Sequence, residues 1–158
     1  MKVIDNFLKK EDYIVLKKFL MSNNFPWFFN HSKIKGSKDL FDFQFTHIFY
    51  GDNQINSNYF NCIELLLNKI NPHALVRIKA NLNVMSHKQI IYKKHKDQDF
   101  KCKAAIYYVN TNDGYTLFKN KKINSVENRI VLFNSDEEHA STNTTDCKSR
   151  IVINFNYF

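Results

Sequence analysis

The residues with the most evident chemical potential are His95 and Asp97, which close the stretch Tyr-Lys-Lys-His-Lys-Asp from Tyr92 to Asp97. In an extended segment residues i and i+2 project to the same face. The His95 imidazole and the Asp97 carboxylate then point together, and Lys94 and Lys96 point away. One further ligand from elsewhere in the chain would complete a two-histidine, one-carboxylate face able to hold a metal such as Fe(II) with coordination positions left open. Downstream, His139 follows the acidic run Asp136-Glu137-Glu138 just beyond the apolar strand Arg129 to Phe133, and so sits at a strand end at the mouth of the β structure. Eleven residues later Arg150 opens the last apolar run. A buried arginine there is costly unless a carboxylate meets it. Its planar fork suits two-point binding of a carboxylate that a small molecule supplies.

The elements that must position these groups divide the chain near Pro72. Before it, Ile14, Val15, Leu16, Phe19 and Leu20 recur at helical spacing after Glu11 and Asp12, whose charge suits a helix N-terminus, and Asn23-Asn24 ends that helix. Phe25 to Phe29, with Trp27, reads as an extended core strand, and Ser32 to Lys38 as a polar loop. Phe41, Phe43 and Phe45 alternate with Asp42 and Gln44, the period of a strand that continues through His47, a structural histidine, to Gly51. A second helix, capped by Asn56 or Ser57, carries Phe60, Ile63, Leu66, Leu67 and Ile70 and stops at Asn71-Pro72. After Pro72 the pattern is β throughout. Val76, Ile78, Ala80, Leu82 and Val84 share one strand face, and Arg77, Lys79, Asn81 and Asn83 share the other, polar face. Ser86-His87-Lys88 reads as a hairpin turn returning through Gln89 to His95. Further strands are predicted at Ala104–Asn110, Tyr115–Phe118, Ile123–Val126, Arg129–Phe133 and Ile151–Phe155, with a tight turn at Asp113-Gly114. Helices followed by many short strands predict an α+β domain with a sandwich or barrel.

Composition sets the outer bounds. A chain of 158 residues has the length of one domain and buries a core without staples. Only 3 Gly and 2 Pro occur, so no linker divides it, and 15% aromatic residues exclude a disordered chain. Cys62, Cys102 and Cys147 are odd in number and far apart, which excludes a disulfide framework and a zinc ribbon and suits a reducing cytoplasm. No signal-like or membrane-spanning apolar run is present, so the expected location is cytoplasmic. The net charge of +8 is scattered in ones and twos, a solubility charge rather than a nucleic-acid footprint, so nucleic acid is a secondary candidate partner.

The ordered set His95-x-Asp97, Ile106 to Asn110, Gly114 to Phe118, Asn128 to Phe133, His139 and Arg150 to Asn154 resembles the 2-oxoglutarate- and Fe(II)-dependent dioxygenases, in their small prolyl-4-hydroxylase-like branch. The resemblance runs from about Leu75 to the C-terminus, and Val3 to Leu8 is similar to the family's entry into its supporting helices. It implies a distorted double-stranded β-helix, a cupin-like jelly roll over about 73–158, supported by helices in about 1–72, the whole of 1–158 forming one dioxygenase domain. It further implies that His95, Asp97 and His139 bind Fe(II) and that Arg150 pairs with the far carboxylate of the co-substrate 2-oxoglutarate. Tyr108 is expected to donate its hydroxyl to that carboxylate, with Tyr107 facing the other way as packing. Asn81 or Asn83 would contact the co-substrate from the opposite wall, and Thr116 and Asn154 would line the pocket. The implied reaction consumes O2 and 2-oxoglutarate, releases succinate and CO2, and hydroxylates a C–H bond, with ascorbate as a reductant. The expected substrate is a peptide or protein residue, as for prolyl hydroxylases. A small metabolite or nucleobase is the alternative, and a non-catalytic jelly-roll binding module is the alternative from another class. His31, His73 and His87 fall outside the pattern and are expected in solvent. Oligomeric state is not readable.

Overall fold

Side-chain alternation along the strands sorts the molecule into layers. The computed structural model describes residues 1–33 and 39–158. It begins with β1 (Lys2–Ile4), α1 (Lys10–Leu20), β2 (Phe28–Asn30), β3 (Gln44–Gly51) and β4 (Gln54–Ile55). A 3-10 turn at Phe60–Ile63 leads into α2 (Glu64–Ile70), and β5 (Leu75–Val84) opens the β half. There follow β6 (Lys103–Tyr108), β7 (Tyr115–Phe118), β8 (Lys121–Asn124), β9 (Arg129–Asn134), β10 (His139–Ser141) and β11 (Ser149–Tyr157). The larger sheet has the order β1-β9-β6-β11-β5-β3-β2, with β4 paired to β3, and the smaller has the order β10-β7-β8. All strand pairs within both sheets are antiparallel. Two packed antiparallel sheets with helices laid on one outer face make a jelly roll.

One face of the large sheet packs under the helices. Ile78 and Ala80 of β5, Ala105 and Tyr107 of β6, and Ile151, Ile153 and Phe155 of β11 join Leu16 and Leu20 of α1 and Ile63 and Leu66 in one buried cluster. The other face meets the small sheet. There Ala104, Ile106, Tyr108, Val131, Phe133 and Val152 pack against Phe118 and Ile123. Burying such side chains supplies roughly 1.5–3 kcal/mol each. Along β11 the inner face reads Arg150, Val152, Asn154, Asn156, and along β5 it reads Asn83, Asn81, Lys79, Arg77, each residue opposite its counterpart in the register. The inner layer is therefore dry at one side and polar at the other.

Helix α2 ends where Asn71 adopts φ 52° and its N–H reaches Leu67 O at 2.8 Å, a left-handed cap that asparagine tolerates. Asn128, at φ 59°, locks the N-terminus to the sheet. Its Oδ1 accepts from Leu8 N (2.8 Å) and the Tyr107 hydroxyl (3.0 Å), and its Nδ2 donates to Leu8 O (2.9 Å).

Several sequence expectations change. The aromatic run is not a core strand: Phe25 is buried but lies in irregular chain, and the strand β2 that follows carries Phe28 and Phe29 at 61% and 51% exposure. The strand predicted from Phe41 begins at Gln44, and of the alternating residues Asp42 and Gln44 are buried and Phe41 is exposed. Gln89 to His95 forms no hairpin with β5; it makes isolated bridges to the 139–144 segment, because those residues pair it to the other sheet. The predicted strand Ile123–Val126 lies two residues earlier, as β8. The polar loop expected over Ser32–Lys38 falls largely outside the described residues. No helix of the described residues is long and apolar enough to cross a membrane.

Candidate metal and oxoacid site

A two-residue bridge assembles the site. His95 N donates to His139 O and His139 N donates to His95 O, both at 3.0 Å, so the two residues form a hydrogen-bonded antiparallel pair. Directly opposed residues in such a pair project to the same face. The rings lie 4.8 Å apart, centroid to centroid. Asp97, two residues beyond His95, points the same way, and its Oδ1 is 3.9 Å from His139 Nε2. One donor atom from each of His95, Asp97 and His139 lies within 4.8 Å of the others.

The surroundings orient each donor. His139 Nδ1 lies 3.1 Å from the Glu137 carbonyl, which leaves Nε2 as the free donor. Phe118 and Phe133 pack on its ring at 5.5 and 5.1 Å. His95 Nδ1 lies 3.4 Å from Lys93 O. His95 is the exposed member of the triad, but it lines the cavity. Desolvation there, then the neighbouring His139, lower its pKa and favour the neutral imidazole that ligates metals. The Asp97 side chain is 2% exposed. Asn156 Nδ2 donates to its Oδ2 at 3.2 Å, and Arg77 Nη2 lies 3.8 Å from Oδ1. Such outer contacts fix the ligand carboxylate and tune its basicity.

The triad borders a cavity of about 280 Å³ lined also by Lys33, Gln44, Arg77, Lys79, Asn81, Asn83, Thr116, Arg150 and Asn154. Arg150 is 1% exposed. Its Nε donates to Ser125 Oγ at 2.8 Å and its Nη2 to Thr116 Oγ1 at 3.1 Å. Thr116 Oγ1 also accepts from the Tyr108 hydroxyl at 2.8 Å, and the Tyr108 ring lies 5.7 Å from the guanidinium carbon. Gly114 makes room for this arginine. A Cβ there would come within 2.5 Å of Arg150 Cδ and of Asn143 O.

Among the described residues, the buried side-chain polar atoms without a hydrogen-bond partner are Lys33 Nζ, Asn81 Oδ1, Asn83 Oδ1, Arg150 Nη1 and Asn154 Oδ1. All five belong to residues lining this one cavity. Unpartnered buried polar groups are rare because each costs about 1–3 kcal/mol. Lys33 Nζ and Arg150 Nη1 are donors that suit an anionic ligand bearing oxygen, whereas the three asparagine Oδ1 atoms are acceptors that a donor such as water would satisfy. An oxoacid with two carboxylates, bound to a metal at one end and Arg150 at the other, suits the His-Asp-His set and the two orphaned cationic donors.

The structure thus brings His95, Asp97, His139, Arg150, Thr116, Asn81, Asn83 and Asn154 to one cavity. Tyr108 stands behind Thr116, its hydroxyl already engaged there. Tyr107 faces the helices, and His31, His73 and His87 are exposed. His47 is held by Pro26 O and Ser57 Oγ at 2.8 and 2.7 Å, away from the cavity. Sequence reasoning gave no role to Lys33, Gln44, Ser125 or Asn156. Asn156 was recoverable, since it continues the i+2 series from Arg150 through Val152 and Asn154. Lys33 lies in a segment with no periodicity to place it, and Ser125, inside the strand expected over Ile123–Val126, falls just past the end of β8.

No protein-family model matches the chain, and no curated protein sequence matches it significantly. Solved structures do. A prolyl hydroxylase from Trichoplax adhaerens, in complex with a hypoxia-inducible-factor oxygen-degradation-domain peptide, superposes with a TM-score of 0.62 at 18% identity, covering 99% of this chain and 82% of that one. The viral collagen prolyl hydroxylase of Paramecium bursaria Chlorella virus-1, as its 2OG complex, gives 0.62 at 14% identity over 98% and 93%. A Pseudomonas putida prolyl-4-hydroxylase gives 0.59 at 12% identity over 99% and 91%. The fold of this chain is that of the small prolyl hydroxylases and the wider 2OG-Fe(II) oxygenases.

Proposed function

We propose that this protein is an Fe(II)- and 2-oxoglutarate-dependent oxygenase that hydroxylates a C–H bond of a peptide or protein residue, releasing succinate and CO2. The observation that carries the reading is the placement of a His-Asp-His donor set and a buried, incompletely partnered arginine in one cavity. His95, Asp97 and His139 would hold the metal. Arg150, with Thr116, would take the far carboxylate of the oxoacid, and Tyr108 would hold the Thr116 hydroxyl in position. Asn81, Asn83 and Asn154 would complete the polar lining. When bound, the Fe(II) and the oxoacid supply the oxygen-activating chemistry, and the protein contributes geometry and exclusion of side reactions. Phe118 and Phe133 keep bulk water from one side of His139. A peptide substrate is favoured by the likeness to a prolyl hydroxylase captured with a peptide.

The test is succinate release from 2-oxoglutarate by purified protein with Fe(II), ascorbate and O2, without a prime substrate. His95→Ala and Asp97→Ala serve as controls. Uncoupled turnover that both substitutions abolish supports the reading. Absent turnover together with absent 2-oxoglutarate binding overturns it in favour of a non-catalytic jelly-roll module.

A further inference from the structure

The cavity holds a second buried cation that the metal and Arg150 do not account for. Lys33 enters from the segment between β2 and β3, and its backbone N–H donates to Asp42 O at 3.0 Å. Its Nζ is buried, lines the cavity and has no hydrogen-bond partner. The ammonium lies over the Tyr92 ring, 2.9 Å from the centroid, a contact that holds a cation without neutralising it.

Strand register places Lys33 at the Arg150 end of the cavity: Tyr92 N, beneath it, donates to Ser141 O at 3.0 Å, and Ser141 lies opposite Thr116, whose Oγ1 accepts from Arg150 Nη2. Lys33 feels Arg150, and Tyr92 beneath it also feels Arg150. The metal ligand His139 lies two residues away from Ser141, opposite Phe118, and Arg77 Nη2 is 3.8 Å from Asp97 Oδ1 at that end. The cavity therefore has a metal end, flanked by Arg77 and Lys79, and a far end where Lys33 and Arg150 converge. At the far end Lys33 Nζ and Arg150 Nη1 are both buried donors without acceptors. Two like charges brought together in a low-dielectric site repel unless an anion lies between them. A carboxylate has two oxygens, one for each donor.

We infer that Lys33 is a positioning residue for the co-substrate, forming with Arg150 a two-cation seat for the far carboxylate of a dicarboxylic oxoacid. The inference rests on the oxygenase reading above and extends it to a residue from outside the strands of the jelly-roll core. Two further features agree with it. Burial, opposed by Asp42 and Asp39 and reinforced by Arg150, lowers the Lys33 pKa to about 7. Burial raises the Tyr92 hydroxyl to about 12, so the ring beneath Lys33 stays neutral. An arriving dianion then converts a half-neutral amine into a full cation, and binding takes up a proton above pH 7. At pH 8 about nine-tenths of a group with pKa 7 is neutral, against half at pH 7, so affinity falls by up to about fivefold between pH 7 and 8.

The test compares two ligands in the anaerobic protein loaded with Mn(II). 2-Oxoglutarate carries the far carboxylate; 2-oxopentanoate has the same oxoacid head and lacks it. Calorimetric titration of wild type, Lys33→Met and Lys33→Arg gives the affinities, and circular dichroism verifies the fold. Lys33→Met is expected to weaken 2-oxoglutarate at least tenfold and leave 2-oxopentanoate within twofold, while Lys33→Arg retains most of the 2-oxoglutarate affinity. Proton uptake on binding at pH 8, read from the dependence of the heat on buffer ionisation, is expected in wild type and absent in Lys33→Met. A 2-oxoglutarate affinity within threefold of wild type in Lys33→Met overturns the inference, and so does an equal loss for both ligands or a Lys33→Met chain that fails to fold. Wild type that binds neither oxoacid overturns the oxygenase reading itself, and the Lys33 role with it.

Discussion

Replacing Arg150 with methionine separates a binding role from a structural one. The wild-type guanidinium is 1% exposed, and burial pushes its pKa below the usual arginine value. Two hydrogen bonds would be lost, from Nε to Ser125 Oγ at 2.8 Å and from Nη2 to Thr116 Oγ1 at 3.1 Å. Hydrogen bonds to charged groups contribute about 1.5–3 kcal/mol each, so about 3–6 kcal/mol is given up. Against this stands the desolvation of a buried cation, several kcal/mol, aggravated by an Nη1 atom with no partner. Thr116 Oγ1 would keep its bond from Tyr108. Methionine is unbranched and of similar length, and would fill the space beside Tyr108 and Val152. The sum lies near zero or favours the variant, as when buried ions are replaced by apolar side chains, by up to about 1–4 kcal/mol. At about 2–4 °C per kcal/mol for a chain of this size, the melting temperature of Arg150→Met is expected to equal or exceed that of wild type. The ligand response goes the other way. In Mn(II)-loaded wild type, 2-oxoglutarate at 100 times its Kd adds about 2.7 kcal/mol, roughly 5–10 °C, and the variant gains nothing. Thermal melts with and without 2-oxoglutarate measure both effects. A variant destabilised by more than about 3 kcal/mol, with its ligand-induced shift intact, would make Arg150 a structural strut and not a ligand-binding residue.

Three other substitutions probe the site and its support. Gly114→Ala places a Cβ 2.5 Å from Arg150 Cδ and from Asn143 O, so it is expected to cost about 1–3 kcal/mol by overpacking. It should also weaken 2-oxoglutarate binding, and normal values of both in melting and calorimetry would contradict the contact. Asn156→Ala removes the amide that donates to Asp97 Oδ2 and is expected to lower metal affinity by about 10–100-fold, read by competition titration with a chelating dye. Asn128→Ala removes three hydrogen bonds at a residue with φ 59°, and a loss of about 3 kcal/mol or more is expected in urea unfolding; a loss under about 1 kcal/mol would contradict its role as the N-terminal lock.

Much of this arrangement was legible in the residues. The alternation of Ile78 and Ala80 with Arg77, Lys79, Asn81 and Asn83 fixed two faces of β5, and the polar one does close over the cavity. His95 and Asp97 were paired by spacing alone. Period two tells faces apart but not which face is inside, because the pattern has no phase of its own. The alternation of Phe41, Phe43 and Phe45 with Asp42 and Gln44 leaves the buried face open, and the structure buries Asp42 and Gln44 and exposes Phe41. Gln89 to His95 read as a hairpin partner of β5, yet its bridges go to Thr142 and His139. Those long-range pairings carry no local signal, although they are what bring the two histidines together. Lys33, in an aperiodic polar stretch, looked like one more solvated lysine.

The central claim is that His95, Asp97 and His139 hold Fe(II) and that 2-oxoglutarate binds across it toward Arg150. Anaerobic titration of the protein with Fe(II) and then 2-oxoglutarate, followed by visible absorption, tests both halves at once. The expected result is a charge-transfer band that needs metal and oxoacid together and saturates at one equivalent of each. It should disappear in Asp97→Ala and His139→Ala and require far more 2-oxoglutarate in Arg150→Met. A protein that gives no band and binds no metal with its triad intact, or that gives the same band without Asp97 or His139, would contradict the account.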